Sequence, residues 1–476
     1  MEKWSSKFGF ILAAIGSAVG IGNIWRFSSV VGQNGGGAYL IPFLIAVFLF
    51  ALPLMMLELL IGRNKQGTVV SAFSSVRKRF RIFGWIIVAI GFIILSYYLV
   101  ITGWILGYLA SSLTNSALDF GDFTTSYQPI IYFIVVAAIT GFVISFGVKK
   151  GIQRLTTILM PFSFVLLIIL ALFCTTLDGF GKGMAFFLTP DFSVLSNPLI
   201  WAAAFGQAFF SLSVGSGILL TYGTYLDKDT NIVQSSLIIT FADLAVAFLA
   251  GLIIFPIVFT FGLSPGMGAE LAFITLPMAF SLLGYGQILA IAFFLLLFFA
   301  ALTSSISMLE VGVASVMEKT SFSRRKTSLI LTVLLILVGL PAALSYSSVN
   351  LTIFGAKILD VLDETLGTIG LPITALLITI VFTWFINKKI FIEELQTSKN
   401  WTNLVIYTTK YIIPVILIVT TVSQLMLAVD IGGWQLVGEG RIIKGLASGS
   451  LGFIVLGFML GILLFIERVL HSRKNN

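Results

Sequence analysis

Gly16-Ser-Ala-Val-Gly-Ile-Gly-Asn-Ile-Trp-Arg26 sits in the middle of an apolar run that is otherwise long enough to cross a bilayer as one helix. Three glycines, an amide and a guanidinium at that depth weaken a continuous helix, and polar groups placed there must face protein or water rather than lipid. A second segment, Gly206-Gln-Ala-Phe-Phe-Ser-Leu-Ser-Val-Gly-Ser-Gly217, repeats the mixture of glycine and hydroxyl residues. Both read as interrupted helices. An interruption frees carbonyls that suit a cation and N–H groups, at the start of a half-helix, that suit a carboxylate.

The rest of the chain supplies the frame for these two segments. Of 476 residues, 58% are hydrophobic and only 10% charged, with 44 Phe and 45 Gly spread over the whole length. No polar block is large enough for a soluble domain, so the chain is read as an all-α integral membrane protein and a soluble enzyme is excluded. Cys174 is the single cysteine and His471 the single histidine, which removes intrachain disulfides, Cys/His metal centres and histidine-based catalysis.

Twelve apolar stretches near or above the ~20 residues that span a bilayer core fall at 9–32, 39–61, 83–111, 129–147, 153–175, 199–225, 232–262, 286–317, 327–346, 357–386, 404–429 and 449–469. On that division the N-terminus and every second loop hold 23 of the 28 Lys and Arg residues; the others are Arg26, Lys182, Lys357, Arg441 and Lys444. The net charge of +8 is therefore a matter of topology and gives no reason to expect nucleic acid: both termini are expected in the cytoplasm of a multi-pass protein of the cell (plasma or inner) membrane. The first stretch is too long for a signal peptide and is expected to remain in the mature protein.

The interrupted stretches are the first and the sixth, so each opens a group of five. That is the pattern of an inverted-repeat transporter with its site near the midplane. Close packing of small residues explains either segment alone, but burying Asn23, Arg26 and Gln207 with them argues for polar function. Thr303-Ser304-Ser305 in the eighth stretch adds hydroxyls that, alone, would be read as bonded back to their own helix. The organisation expected is a cytoplasmic segment 1–8, a first repeat 9–175, an extracellular loop 176–198, a second repeat 199–386, a cytoplasmic loop 387–403, two further helices within 404–469 and a tail 470–476.

GSAVGIGNIWRF at Gly16 to Phe27, NGGGA at Asn34 to Ala38, GQAFFSLSVGSG at Gly206 to Gly217 and AALTSSISMLE at Ala300 to Glu310, with Gly151 ten residues before Pro161, closely resemble the neurotransmitter:sodium symporter family, in its bacterial and archaeal amino-acid-transporter form. The resemblance implies the leucine-transporter fold, twelve helices in five-plus-five inverted repeats with helices one and six broken, and Na⁺-driven uptake of an amino acid or amine. It implies one sodium site from the carbonyls of Ala18 and Ser211, the Ser211 hydroxyl, the Asn23 amide oxygen, Asp243 and the substrate carboxylate. A second would use carbonyls of Gly16, Val19 and Ala300 with hydroxyls of Thr303 and Ser304. Oxygen-only ligands suit a hard cation. The substrate carboxylate is expected on the N–H groups of Ile21 and Gly22 and on the Tyr98 hydroxyl, and its ammonium on carbonyls of Ala18, Phe210, Ser211 and Ser213.

The same resemblance places an outer gate at Arg26, Phe210 and Asp363, and an inner gate at Trp4, Tyr225 and Glu318. The basic residue usual just before the tryptophan falls at Met1, so Lys3 is the candidate substitute. In that family Pro161 marks a turn that unwinds to admit water to the second sodium site; a static proline kink is the plainer reading. Where chloride-dependent relatives carry anion ligands this chain has Phe43 and Ala247, and Asp243 brings a fixed carboxylate, so no chloride is expected. Competition between Na⁺ and H⁺ at Asp243 is a further expectation.

Gly20, where the monoamine branch has an acid, favours an amino acid over an amine. Ser216, where many relatives carry Phe, enlarges a pocket walled by Ile94, Tyr98, Phe210, Ser213, Ser304 and Met308, which suits a large hydrophobic or aromatic L-amino acid. Glu58 and Glu310 read as hydrogen-bond partners for the broken helices. A proton-coupled amino-acid transporter of the same fold and a non-transporting amino-acid sensor remain alternatives. An enzyme is disfavoured because no intramembrane histidine exists to act as a base. Helices eleven and twelve leave a homodimer open.

Overall fold

A computed structural model describes residues 2–116, 118–265, 271–353 and 355–428. The stretch expected at 449–469 and the tail 470–476 lie outside the described residues. Among the described residues nine helices are long and apolar enough to cross a membrane, and a tenth is the pair Lys7–Ala18 and Gly22–Gln33, bent by 56° at its break. The stretch expected at 199–225 is two shorter helices, Pro198–Ser211 and Ile218–Thr224. The first eleven expected stretches thus each coincide with helix in the structure.

Local chemistry explains where the helices start and break. Ser6 caps the first helix by accepting from the Gly9 N–H at 3.0 Å. The chain leaves helical geometry at Val19, whose φ/ψ of −70°/106° is extended. In the sixth stretch Ser213, Gly215 and Gly217 take φ of 53°, 85° and 78°, a left-handed sequence that no α-helix tolerates.

Loops that the sequence leaves featureless carry structure. The loop 176–198 contains a helix, Phe180–Leu188, and a helical turn, Phe192–Ser196. Phe187 anchors that helix, its ring 5.2 Å from Phe255 and 5.6 Å from Phe248 on the seventh span. A short helix before the eighth span, Leu276–Ser281, continues from the turn Leu271–Thr275, and Phe273 within that turn packs against Trp104, Tyr108 and Phe120. The loop 387–403 holds Lys388–Leu395, whose Glu394 takes the buried Arg63 at 2.6 Å.

The second span, Gly37–Lys65, crosses the half-helix Ile218–Thr224 with backbone touching backbone. A Cβ on Gly62 would overlap the Leu220 carbonyl oxygen and lie 2.9 Å from Gly223 Cα, and one on Gly223 would lie 2.5 Å from the Leu59 carbonyl oxygen. Gly62→Ala is therefore expected to lower stability by about 1–3 kcal/mol through overpacking, read as a lower thermal unfolding midpoint in detergent. An unchanged midpoint would show that this crossing is loose.

Candidate functional site

The two breaks face each other, and the backbone groups they release are taken up by side chains from other spans. Ser213 Oγ donates to the Ser17 carbonyl at 2.8 Å and Gln207 Nε2 to the Gly22 carbonyl at 3.0 Å. Tyr98 Oη lies 3.5 Å from the Ile21 N–H, which donates to it. Glu58, fully buried, accepts from the Gly215 N–H at 2.6 Å. Each contact removes a penalty of a few kcal/mol for an unsatisfied buried group.

Beside the first break, Asn23, Ser211 and Asp243 form one buried cluster. Asn23 Nδ2 donates to Asp243 Oδ1 at 2.6 Å and to Ser211 Oγ at 2.9 Å, and Ser211 Oγ donates to Asp243 Oδ2 at 2.7 Å. Asn23 Oδ1 meanwhile accepts from the Gly20 N–H at 3.1 Å. The amide therefore turns its nitrogen, not its oxygen, toward the carboxylate. A cation lodged at Asp243 would displace both donors and require the amide to rotate before its oxygen could serve. Charge and donor type fit a hard monovalent cation: one carboxylate, one hydroxyl and one amide, with no full positive charge among the groups bonded to Asp243.

A second oxygen cluster lies where the first, fifth and eighth spans meet. Ser304 Oγ lies within 3.4 Å of the Gly16 and Ser17 carbonyls and 3.3 Å from that of Val19. Thr303 Oγ1 reaches the Ala300 carbonyl at 3.1 Å as well as that of Phe299 at 3.0 Å. Gly16 packs so closely that a Cβ would meet Thr156 Cγ2 and Thr303 Cβ at 3.2 Å. The fifth span reaches this point through a π-helical turn, Val148–Gln153, and Arg154–Cys174 with Pro161 inside it. Among the described residues no group of three or more His, Cys, Asp or Glu side chains assembles, so neither cluster resembles a transition-metal centre.

Between the clusters is a cavity lined by Ala18, Gly20, Gly22, Asn23, Ile94, Tyr98, Phe210, Ser213, Ser216, Ser304 and Met308. Ile21 and Ser211 border it through the Tyr98 and Asp243 contacts rather than by lining it. A Cβ on Gly20 would come within 2.8 Å of Ser304 Oγ and 3.1 Å of Tyr98 Oη, so a larger residue there would fill the polar end. A deeper part, lined by Val88, Gly91, Phe92, Val311 and Gly312, has no counterpart among the residues picked out by sequence. Helical spacing is the signal that finds it: 88, 91 and 92 are spaced i, i+3, i+4 and lie about two to three turns before Tyr98 on one face, and 311 and 312 follow Met308 by one turn.

The family model described as the sodium:neurotransmitter symporter family matches residues 1–129 and 120–432. The chain belongs to that family. It is 37% identical over 434 residues to an uncharacterized sodium-dependent transporter, YhdH, of Bacillus subtilis (strain 168), covering 88% of this chain and 96% of that one. It is 36% identical over 411 residues to another from Methanocaldococcus jannaschii, with 80% and 82% covered. Among solved structures, MhsT in complex with L-phenylalanine superposes with a TM-score of 0.83 at 40% identity, over 89% of this chain and all of that one.

For a member of the sodium:neurotransmitter symporter family, the two ends of the pathway are then of interest. At one end the Arg26 guanidinium lies over the Phe210 ring, 4.3 Å from its centroid, a cation–π contact. Asp363 accepts from Tyr97 Oη at 3.0 Å. Among the described residues Arg26 and Asp363, expected as partners from the sequence, make no ion pair within 4 Å.

At the other end Trp4 packs on Tyr222 and Tyr225, with its indole N–H donating to the Tyr222 carbonyl at 3.1 Å. The charge centre there is Glu310, fully buried, which accepts from Tyr225 Oη at 2.6 Å and from Arg324 at 2.7 and 3.0 Å. Arg324 also pairs with Glu2 at 2.9 Å, and Glu2 accepts from the Val148 N–H at 2.5 Å. Glu318 lines a second cavity together with Glu2, Tyr225 and Arg324 but places its carboxylate on Thr68 and Lys319. Lys3 pairs with the exposed Asp227 instead of entering this network. Lys3 and Glu318, the residues expected from the sequence at this end, thus lie outside the contacts among Glu2, Arg324 and Glu310.

Arg324→Met would strand Glu310 and is expected to cost about 3–5 kcal/mol, the loss typical of a broken buried pair. Adding Glu310→Gln should restore more than half of that in thermal unfolding. Equal losses in the single and double variants would show that the two side chains act independently.

Proposed function

We propose that this chain is a Na⁺-coupled symporter that imports large hydrophobic or aromatic L-amino acids by alternating access, without chloride. The observation that carries this reading is the convergence of Asn23, Ser211 and Asp243 at the edge of an apolar-walled cavity bounded by two broken helices. On this reading the complete fold has twelve helices in two inverted repeats of five plus a final pair, with both termini in the cytoplasm of the cell membrane.

The substrate carboxylate would sit at the Ile21 and Gly22 N–H groups and Tyr98 Oη, and its ammonium on carbonyls of Ala18, Phe210, Ser211 and Ser213. One Na⁺, as co-transported cargo, would use Asp243, Ser211, Asn23 and Ala18; a second would use Gly16, Val19, Ala300, Thr303 and Ser304. Phe43 and Ala247, both fully buried, offer no donor to an anion, and Asp243 supplies the negative charge itself. Arg26, Phe210 and Asp363 would close the site outward, and Trp4, Tyr225 and Glu318 would take part in inward closure together with Glu2, Glu310 and Arg324.

The side-chain class follows from the far end of the cavity. Ser216 lines it without filling it, and a Cβ on Gly91 would meet nothing closer than the Ser216 carbonyl oxygen at 3.8 Å. One on Gly312 would meet Leu331 Cδ1 at 3.6 Å and Phe92 Cδ2 at 3.8 Å. Crowding therefore requires neither glycine, although each costs its helix about 1 kcal/mol relative to alanine. What they leave is depth. The relative solved with L-phenylalanine supports a side chain of that kind.

The deciding measurement is uptake of labelled tryptophan, phenylalanine, leucine and glycine into liposomes holding the purified protein, under an inward Na⁺ gradient and an equal K⁺ gradient. Accumulation is expected only with Na⁺, favouring the large side chains, and unchanged when gluconate replaces chloride. Uptake driven equally in K⁺ by a proton gradient would overturn the sodium coupling, and binding without uptake would make the protein a sensor. Gly91→Ala and Ser216→Phe are each expected to shift preference from tryptophan toward leucine by about tenfold or more, since a methylene-sized change in an apolar pocket is worth ~1–3 kcal/mol. An unaltered ranking in both would remove the pocket argument while leaving the coupling intact.

A further inference from the structure

Next to the substrate cavity lies a second cavity of about 190 Å³, room for several waters. Arg26, Gln33, Asn34, Gln207 and Thr368 give it a polar lining that suits water, whereas the substrate cavity is walled mainly by apolar groups. Among the described residues only Phe210 and Leu371 line both. The partition between a wet space and the site is therefore these two side chains, and Leu371 is one that the sequence did not single out.

The two cover different ends of the site. Phe210 belongs to the polar end: a Cβ on Gly22 would come 2.5 Å from its Cε1, and the Arg26 guanidinium lies 4.3 Å from its ring centroid. Leu371 belongs to the far end. A Cβ on Gly215 would lie 3.0 Å from the Leu371 carbonyl oxygen and 2.9 Å from Ala375 Cβ, and one on Gly370 would lie 3.3 Å from Ile90 Cγ2. The backbone at 371 is thus wedged between the neighbour of Ser216 and the neighbour of Gly91, the two residues that leave the far end open.

The tenth span brings Leu371 there through a π-helical run, Asp363–Gly370, which the Leu371 N–H closes by donating to the Leu366 carbonyl. Wide turns of this kind recur at functional sites. Within the run Gly367 makes way for the bond between Tyr97 and Asp363, since a Cβ would lie 2.7 Å from Tyr97 Oη and 2.8 Å from Asp363 Oδ1. Beyond it Thr374 Oγ1 donates to the Leu371 carbonyl at 2.8 Å. Leu371 is therefore braced by its own helix and by two neighbouring spans, while Phe210 sits at the end of the half-helix Pro198–Ser211, beside the sixth break.

We propose that Leu371 is the second leaf of the outer lid and sets how long a substrate side chain the closed site accepts. Phe210 shuts the polar end, and the isobutyl group of Leu371 shuts the apolar end. The inference rests on the transport function proposed above. Trimming Leu371 would join the site to the hydrated cavity, giving the bound side chain a way out and a longer side chain room to extend.

The test is equilibrium binding and release of labelled phenylalanine by the purified full chain in Na⁺, with L-4-phenylphenylalanine as a longer competitor. Leu371→Ala is expected to release phenylalanine about tenfold faster or more, the worth of a methylene-scale change in an apolar contact. It should also let L-4-phenylphenylalanine compete where the wild-type chain excludes it, a gain that misfolding does not produce. Leu371→Met, close in volume, should keep both the slow release and the exclusion. Because the native Cys174 is buried, Leu371→Cys adds one accessible thiol. A membrane-impermeant methanethiosulfonate should modify it in K⁺ and be blocked by Na⁺ with phenylalanine. Unchanged release and selectivity in Leu371→Ala, or a thiol at 371 modified equally or not at all in both conditions, would overturn the second leaf while leaving the transport function standing. A wild-type chain that does not bind phenylalanine in Na⁺ would overturn both.

Discussion

A backbone that leaves helical geometry inside a bilayer must find its hydrogen bonds in other parts of the protein, and the architecture is organised around that demand. The first break is held by hydroxyls from the sixth and eighth spans, Ser213 and Ser304, by Gln207, and by Tyr98 from the third. The sixth is held by Glu58 from the second span. Four spans are thereby committed to the positions of two short non-helical segments. The tight glycine crossing of Gly62 and Gly223 follows, because Glu58 reaches Gly215 only if the second span lies against the half-helix Ile218–Thr224.

The same demand explains why ligand chemistry collects there. Carbonyls bonded by a single hydroxyl keep a free lone pair. Ser304 Oγ is near three of them at distances of 3.3 to 3.4 Å, long for hydroxyl bonds. Such a cluster is loosely satisfied by protein, and its oxygen-only chemistry is of the kind that suits a hard cation. Asp243 differs, since its oxygens have short bonds from Asn23 and Ser211. Two neutral donors lessen a buried negative charge without cancelling it, which is the electrostatic reason to expect a cation there and no accompanying anion.

Much of this was legible in the sequence because burial at membrane depth makes polar residues conspicuous. Asn23, Asp243, Glu58 and the glycine-hydroxyl runs stand out against Phe, Leu and Ile, and the structure brings them together. What was not legible depends on choices between near-equivalent partners. Asn23 carries both an oxygen and an NH₂ group, and only the Gly20 N–H settles which one faces Asp243. Glu310, read from the sequence as a hydrogen-bond partner for a broken helix, accepts from Tyr225 beside the half-helix Ile218–Thr224, but its pairing with Arg324 leaves no mark in the sequence because the two residues come together only through the turn between the eighth and ninth spans. The far end of the cavity was missed for a different reason: Gly91 and Gly312 line it without a side chain, so among 45 glycines only their helical spacing from Tyr98 and Met308 marks them.

Arg26 shows how the outer end and the site can be linked without a direct ion pair. Its guanidinium rests on the Phe210 ring, and that ring lies against Gly22, where a Cβ would come 2.5 Å from Phe210 Cε1. Gly22 also offers its carbonyl to Gln207, and its neighbour Asn23 holds Asp243. A cation that pulls Asp243 away from Asn23 therefore acts on the residue next to the one that supports the lid. Phe210 also lines the cavity. On the proposed function, ion and amino acid would then bias one aromatic ring through two separate contacts, and each would strengthen the other's binding provided both favour the same position of that ring.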